Sequence, residues 1–332
     1  MRNVKRKDLE KSDLYDPLKL AEEIIGGRRL LRGEYKKLFK ECDLEALVIG
    51  ADRIRKYYVG DRVDMCTIIA GKSGNCGENC RFCAQSVHNK TGCEVYDLMD
   101  YEDIYKAARS DQEEGVDRFA VVVSGRSPSD KDFDMLTDIY KKLNKELKLS
   151  LCASLGFLTA DRFERLYEAG VRNYHNNIET SRGYFSSICT THSFEDKVEN
   201  IKRAKEAGFK VCSGGIIGMG ETMDDRIDMA FDLCELEIDS IPLNVLIPIP
   251  GTPLEGLPVL PREEIMRVIA IFRYINPGAD IRFAAGRKLT GDNGRGAFNG
   301  GASAAITGNM LTTSGSTIKN DLKMLREMGR RE

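Results

Sequence analysis

Residues 76–83 read Cys-Gly-Glu-Asn-Cys-Arg-Phe-Cys, a Cys-x3-Cys-x2-Cys spacing. Three thiolates this close in sequence can wrap one metal centre. A closed structural zinc site wants four protein ligands, so zinc here would need a distant fourth, with Cys93 or His88 the nearest. A four-iron cluster held by Cys76, Cys80 and Cys83 instead leaves one iron open to a substrate or cofactor. The chain carries ten cysteines but only three histidines, which argues against a histidine-rich metal site. A disulfide scaffold is disfavoured, because 42% hydrophobic residues can build a core without one.

The elements that must position this loop repeat a strand, loop, helix order. Strands are expected at residues 63–70, 118–124, 147–155, 171–178, 210–217, 240–247, 280–285 and 304–307. Helices are expected near 100–110, 131–146, 160–169, 195–207, 223–236, 261–275 and 316–330. This is the arithmetic of an α/β chain folded as a (β/α)8 TIM-type barrel over residues 61–332. Residues 1–60 are expected to form an N-terminal helical cap. Its helices start at Pro17 and cover Arg32 to Glu41 and Glu45 to Tyr58. A doubly wound sheet is the rival. However, Gly71-Lys72-Ser73-Gly74-Asn75-Cys76 after the first strand lacks that fold's glycine fingerprint. The triple-cysteine loop falls at the strand end where barrel enzymes place their chemistry.

Barrel periodicity groups further residues. Cys66, Cys152, Cys212 and Arg282 fall on strands one, three, five and seven. Alternate strands build one interior layer, so these four side chains are expected to converge. Such a layer is normally apolar, and three thiols with a guanidinium need a partner there. A negatively charged iron–sulfur cluster supplies one, although free cysteine is also an ordinary small core residue. Cys42, Cys93, Cys189 and Cys234 suit helix or loop packing as well as ligation.

Composition narrows the function classes. Lys plus Arg total 50 and Asp plus Glu 52, a formal net charge of -2. That balance speaks against a generally basic nucleic-acid binder or an electrostatically held membrane protein. No run reaches the length of a membrane span, and Met1 to Asp13 lacks the apolar stretch of a signal peptide. A soluble cytoplasmic protein is the expectation.

The cysteine loop on its strand resembles the radical S-adenosylmethionine superfamily, and Phe82 before the third cysteine fits it. More of the chain resembles the biotin synthase family within that group. The segments are Cys80 to Ser86 with Lys90-Thr91-Gly92, Tyr174 to Ser181, Lys210 to Thr222, Asn244, Gly251 to Leu254, Arg282 with Ala285-Gly286-Arg287, and Leu311-Thr312-Thr313. The resemblance implies a 4Fe-4S cluster on Cys76, Cys80 and Cys83 that binds and cleaves S-adenosylmethionine. It also implies an auxiliary cluster on Cys152, Cys212 and Arg282, 2Fe-2S in the usual enzyme or larger. The family's strand-two cysteine is Ala120 here, and Cys66 on the adjacent first strand is expected to replace it as a ligand.

For the organic ligands it implies Phe82, Ser124, Asn177 and Glu179 around the cofactor, and Asn177, Asn244, Thr312 and Thr313 around dethiobiotin. The implied reaction inserts sulfur at C6 and C9 of dethiobiotin to give biotin. The implied partners are a flavodoxin- or ferredoxin-type electron donor, iron–sulfur assembly proteins and a second copy of the chain. Another radical enzyme of the same branch, of the hydrogenase maturase or methylornithine synthase type, is the alternative. A zinc-stabilised binding protein is the alternative from a different class.

Overall fold

The computed structural model describes residues 16–308 and 316–332. Thr312 and Thr313 lie outside the described residues.

Three helices precede the barrel: α1 (Pro17–Ile25), α2 (Lys36–Glu41) and α3 (Leu44–Tyr58). The Asp16 carboxylate accepts the Leu18 N–H at the start of α1, and Pro17 takes the first helical position, where a missing N–H costs nothing. Asp43 caps α3 through the Ala46 N–H. The helix expected from Arg32 begins only at Lys36. Gly33 and Tyr35 adopt left-handed backbone, with φ of 90° and 60°, which interrupts any helix there.

The barrel then runs β1 (Asp64–Lys72), α4 (Tyr101–Glu113), β2 (Arg118–Val123), α5 (Asp130–Glu146), β3 (Ser150–Ser154), α6 (Ala160–Glu168), β4 (Asn173–His175), α7 (Phe194–Glu206), β5 (Lys210–Cys212) and β6 (Gly215–Ile217). It continues with α8 (Met223–Glu235), β7 (Ser240–Val245), α9 (Arg262–Ile275), β8 (Asp280–Phe283), the single turn α10 (Arg295–Phe298), β9 (Ala304–Ile306) and α11 (Ile318–Glu327). Each strand pairs in parallel with its neighbours, β9 pairs with β1, and β5 pairs with β7 through Cys212 and Ser240. Those pairings close eight staves into a (β/α)8 barrel.

The fifth stave is two strands rather than the one expected at 210–217. At the break, a Cβ on Gly214 would lie 2.0 Å from the Pro242 carbonyl oxygen, and one on Gly215 2.3 Å from that of Glu179. The two glycines therefore let β6 press against β7 and against the end of the fourth stave. Their close neighbours are the chain itself, backbone of Pro242 and Glu179 and the Met229 sulfur.

Period two divides each strand between two environments. Phe119, Val121, Leu151, Tyr174, Ile281 and Phe283 are buried, and they alternate with Arg118, Ala120, Cys152, Asn173 and Arg282. The covering helices present apolar stripes, as α5 does with Phe133, Leu136, Tyr140 and Leu143. The preceding helices dock on α9. The Tyr274 hydroxyl donates to Pro17 O at 2.9 Å, and the Tyr274 ring meets Phe39 edge to face at 5.8 Å. Among the described residues, no helix is long and apolar enough to cross a membrane.

Candidate active site

Strand register builds a polar layer inside the barrel. Ala120 sits beside Cys152, His175 beside Cys212, and Arg282 between Pro242 and Ala304. Cys66 and Cys152 pack with Ala120, so the Cys66 thiol lies next to the position where a strand-two cysteine is missing. Burial pushes the Cys66 thiol up to about 12, against the pull of Arg282. Burial also drives Cys152 well above the ordinary thiol range and raises Cys212. Alone, the three groups therefore keep their protons. As thiolates they would need a metal centre or another strong positive partner.

Arg282 is charged in this layer. Burial opposes its charge, but Asp64, then Cys66 and Cys212, more than offset that. Its Nη2 lies 2.5 Å from Asp64 Oδ1, its Nη1 donates to Ala305 O at 2.9 Å, and its Nε donates to Ser240 Oγ at 3.2 Å. Arg118 shares the same carboxylate at 2.9 Å and donates to Asn173 Oδ1 at 2.8 Å. Asp64 and Arg118 were not among the expected site residues. The signal was there, since each stands two positions before a layer residue, Cys66 and Ala120, on the same side of its strand.

A chamber of about 410 Å3 joins this layer to the cysteine loop. Cys66, Cys152, Cys212 and Arg282 line it together with Cys76, Phe82 and Cys83. Ser124, Asn177, Glu179 and Asn244 line it as well. Every expected site residue within the described stretches thus reaches one space except Cys80. The Cys80 thiol instead donates to Cys189 Sγ at 3.8 Å, and that hydrogen bond, followed by burial, keeps its proton on. Cys83 is likewise pushed up to about 11 by burial.

The polar wall residues are held by backbone. Ser124 Oγ donates to Gly74 O at 2.7 Å. Asn177 Oδ1 accepts the Gly214 N–H at 3.0 Å, and its amide donates to Glu179 at 3.3 Å. Burial raises the Glu179 carboxyl, against Lys197 and His175. Burial lowers His175 to about 4, so its imidazole is neutral at ordinary pH. Asn244 donates to Gly215 O at 3.3 Å and accepts the Ala285 N–H at 3.2 Å. Asn176 also lines the chamber, and its Oδ1 is buried without a partner, an acceptor suited to a bound polar ligand. Lys72 turns to Asp132 at 2.8 Å.

The cysteine loop rests on two distant segments. Arg81 N–H donates to Ile188 O at 2.9 Å, and Asn79 Oδ1 accepts the Thr190 N–H at 2.9 Å. Lys90 N–H donates to Gly251 O at 3.0 Å, where a Cβ on Gly251 would strike Lys90 O at 2.0 Å. Phe82 packs against a small apolar cluster of Ile188, Met219, Leu246 and Leu254. Of the other cysteines, Cys93 Sγ sits 3.7 Å from Ser73 Oγ, Cys42 Sγ sits 3.7 Å from Arg267, and Cys234 packs against the core.

The Radical SAM superfamily profile matches residues 72–233, and the Biotin and Thiamin Synthesis associated domain matches residues 242–331. A biotin synthase of Alkaliphilus metalliredigens is 52% identical over 314 residues, covering 95% of this chain and 99% of the relative. One of Clostridium beijerinckii is 53% identical over 311 residues, covering 94% and 98%. Among solved structures, a methylornithine synthase superposes with a TM-score of 0.81 at 21% identity, over 94% of this chain and 96% of the other. A maturase of the iron–iron hydrogenase superposes at 0.80 with 20% identity, over 98% and 77%. Those two likenesses speak to the fold alone.

Proposed function

Because the chain belongs to the biotin synthase family of radical S-adenosylmethionine enzymes, we propose that its barrel layer holds the sulfur donor and its cysteine loop the centre that cleaves the cofactor. The chain is an iron–sulfur enzyme that inserts sulfur into dethiobiotin to form biotin. Cys76, Cys80 and Cys83 would hold a 4Fe-4S cluster. Cys66, Cys152, Cys212 and Arg282 would hold the auxiliary cluster, 2Fe-2S or larger, with Cys66 supplying the thiolate that Ala120 cannot. When bound, the first centre would supply the electron that cleaves S-adenosylmethionine to methionine and a 5'-deoxyadenosyl radical able to remove hydrogen at C9 and C6, and the second would supply the sulfide for those carbons.

The donor set fits such groups. Buried thiols that keep their protons alone give them up readily to a metal centre, and the guanidinium offsets the negative charge that results. The chain's own work is orientation and dryness. Glu179 offers two acceptor oxygens to ribose hydroxyls, and Asn177 bridges that carboxylate to the glycine pair behind it. Asn244 presents an amide to the ureido ring of the substrate, and Ser124 borders the methionine moiety. Phe82 and its apolar neighbours shield the reacting carbons from water. The same reading takes residues 1–60 as the helical cap and 61–332 as the barrel. It adds a small electron-donor protein of flavodoxin or ferredoxin type near the cysteine loop, iron–sulfur assembly proteins, and a homodimer.

The observation that carries the reading is the chamber that brings Cys66, Cys152, Cys212 and Arg282 together with Cys76 and Cys83 of the loop. Reconstituted, reduced protein should show two iron–sulfur centres by anaerobic spectroscopy and convert dethiobiotin to biotin. Cys66→Ala should lose the second centre and keep cofactor cleavage. Release of 5'-deoxyadenosine with no biotin from a fully loaded wild-type chain would overturn it.

A further inference from the structure

Outside the chamber, a second set of ligand-type side chains closes behind the cysteine loop. Cys189 and His192 lie at 4% and 7% exposure, and neither lines the chamber. Cys189 Sγ is 3.8 Å from Cys80 Sγ, and it is 3.4 and 3.8 Å from His192 Nδ1 and Nε2. One donor atom from each of the three residues falls within 4.8 Å of the others. A tetrahedral ion with metal–sulfur bonds of about 2.3 Å and metal–nitrogen bonds of about 2.0 Å spaces its ligand atoms by roughly 3.5–3.8 Å. The thiol pair already stands at that spacing, while Cys189 Sγ faces the imidazole edge between its two nitrogens, so the side chains shift on binding to bring Nε2 onto the ion.

The surroundings are those of a ligand histidine. Nδ1 of His192 is in close contact with the Glu78 carboxylate, the usual outer partner of a metal-bound imidazole. Glu78 is itself held by the Thr191 hydroxyl at 2.7 Å and by Arg126 at 3.5 Å. The rings of Phe157 and Phe185 meet the imidazole edge to face at 5.3 and 5.7 Å, which fixes its plane.

We propose that, in the cluster-free chain, Cys80, Cys189 and His192 bind one divalent ion of the zinc and ferrous class, and that this ion competes with the iron–sulfur cluster for Cys80. Cys80 and Cys189 bind as thiolates, and each thiol proton displaced passes to solvent. Three protein donors leave a fourth position for water, the open arrangement of exchangeable sites. The competition, though not the site itself, rests on the assignment of Cys80 to the cluster.

The test uses full-length, reduced, iron-free protein loaded with zinc(II). X-ray absorption at the zinc edge should show two sulfurs, one imidazole and one further light atom. Three sulfurs would place zinc on Cys76, Cys80 and Cys83 and overturn the proposal. Loss of an outer partner alone costs 10–100-fold in metal affinity, so Cys189→Ser and His192→Gln should each weaken zinc binding by more than about tenfold. Cys76→Ser should leave it unchanged, and the reverse pattern would overturn the site. Bound zinc should slow cluster assembly in the wild type but not in Cys189→Ser. A two-sulfur zinc spectrum with unhindered assembly would overturn the competition and the assignment of Cys80, leaving the metal site standing.

Discussion

At the scale of single residues, the barrel interior is governed by charges that only make sense together. Asp64 is shared by Arg118 and Arg282. Burial raises its carboxyl, but the two guanidiniums win and hold it below the ordinary range. Asp64→Asn should cost the cluster-free chain about 3–5 kcal/mol, because the buried Arg282 loses its carboxylate and the half-buried Arg118 keeps only the carboxylate of Asp280 at 3.7 Å. Urea titration measures this, and a change within about 1 kcal/mol would mean that water screens the layer. His175 gives a pH dependence of known sign. It titrates at about 4 in the fold and at about 6.5 when unfolded, so the unfolded chain binds the extra proton between those values. Stability from this group therefore rises with pH across that window and is flat above it. The melting temperature of the cluster-free wild type should fall from pH 7 to pH 4.5 more than that of His175→Asn. Equal falls would remove His175 from the account.

At the scale of elements, strand periodicity carried most of the reading. Cys66, Cys152, Cys212 and Arg282 were grouped by strand number alone, and all four line one chamber. What escaped was long-range or conformational. Cys189 suited packing and ligation equally, because its partner Cys80 lies 109 positions away and no local spacing links them. The split fifth stave escaped because a Gly-Gly pair in sequence does not say which backbone will press on it. The late start of α2 escaped because Tyr35 takes a left-handed conformation that non-glycine residues rarely adopt. Gly214→Ala would force a methyl into the Pro242 carbonyl, a strain of about 1–3 kcal/mol. Gly183, with nothing within 4 Å of its would-be Cβ, should accept alanine within about 0.5 kcal/mol. Thermal melts of the two variants check the contrast, and equal losses would refute the close approach.

At the scale of the whole molecule, the barrel closes through its ends. Val63 N–H donates to Arg330 O at 3.1 Å, and Arg331 pairs with Asp117 at 2.5 Å. Buried thiols at the centre of such a ring favour whatever binds them as thiolates, and any ligand of the native state alone raises apparent stability. Anaerobic chelation of iron should therefore lower the melting temperature of loaded wild-type protein, with loaded Cys66→Ala starting closer to the chelated value. An unchanged melt would detach the clusters from the fold's stability. The seat of the cysteine loop has a consequence in time. Its supports, Ile188, Thr190 and Gly251, are translated more than a hundred residues after Cys76. A growing polypeptide still emerging from the ribosome has the thiols but nowhere to lodge what they carry, so iron delivery belongs to the finished barrel.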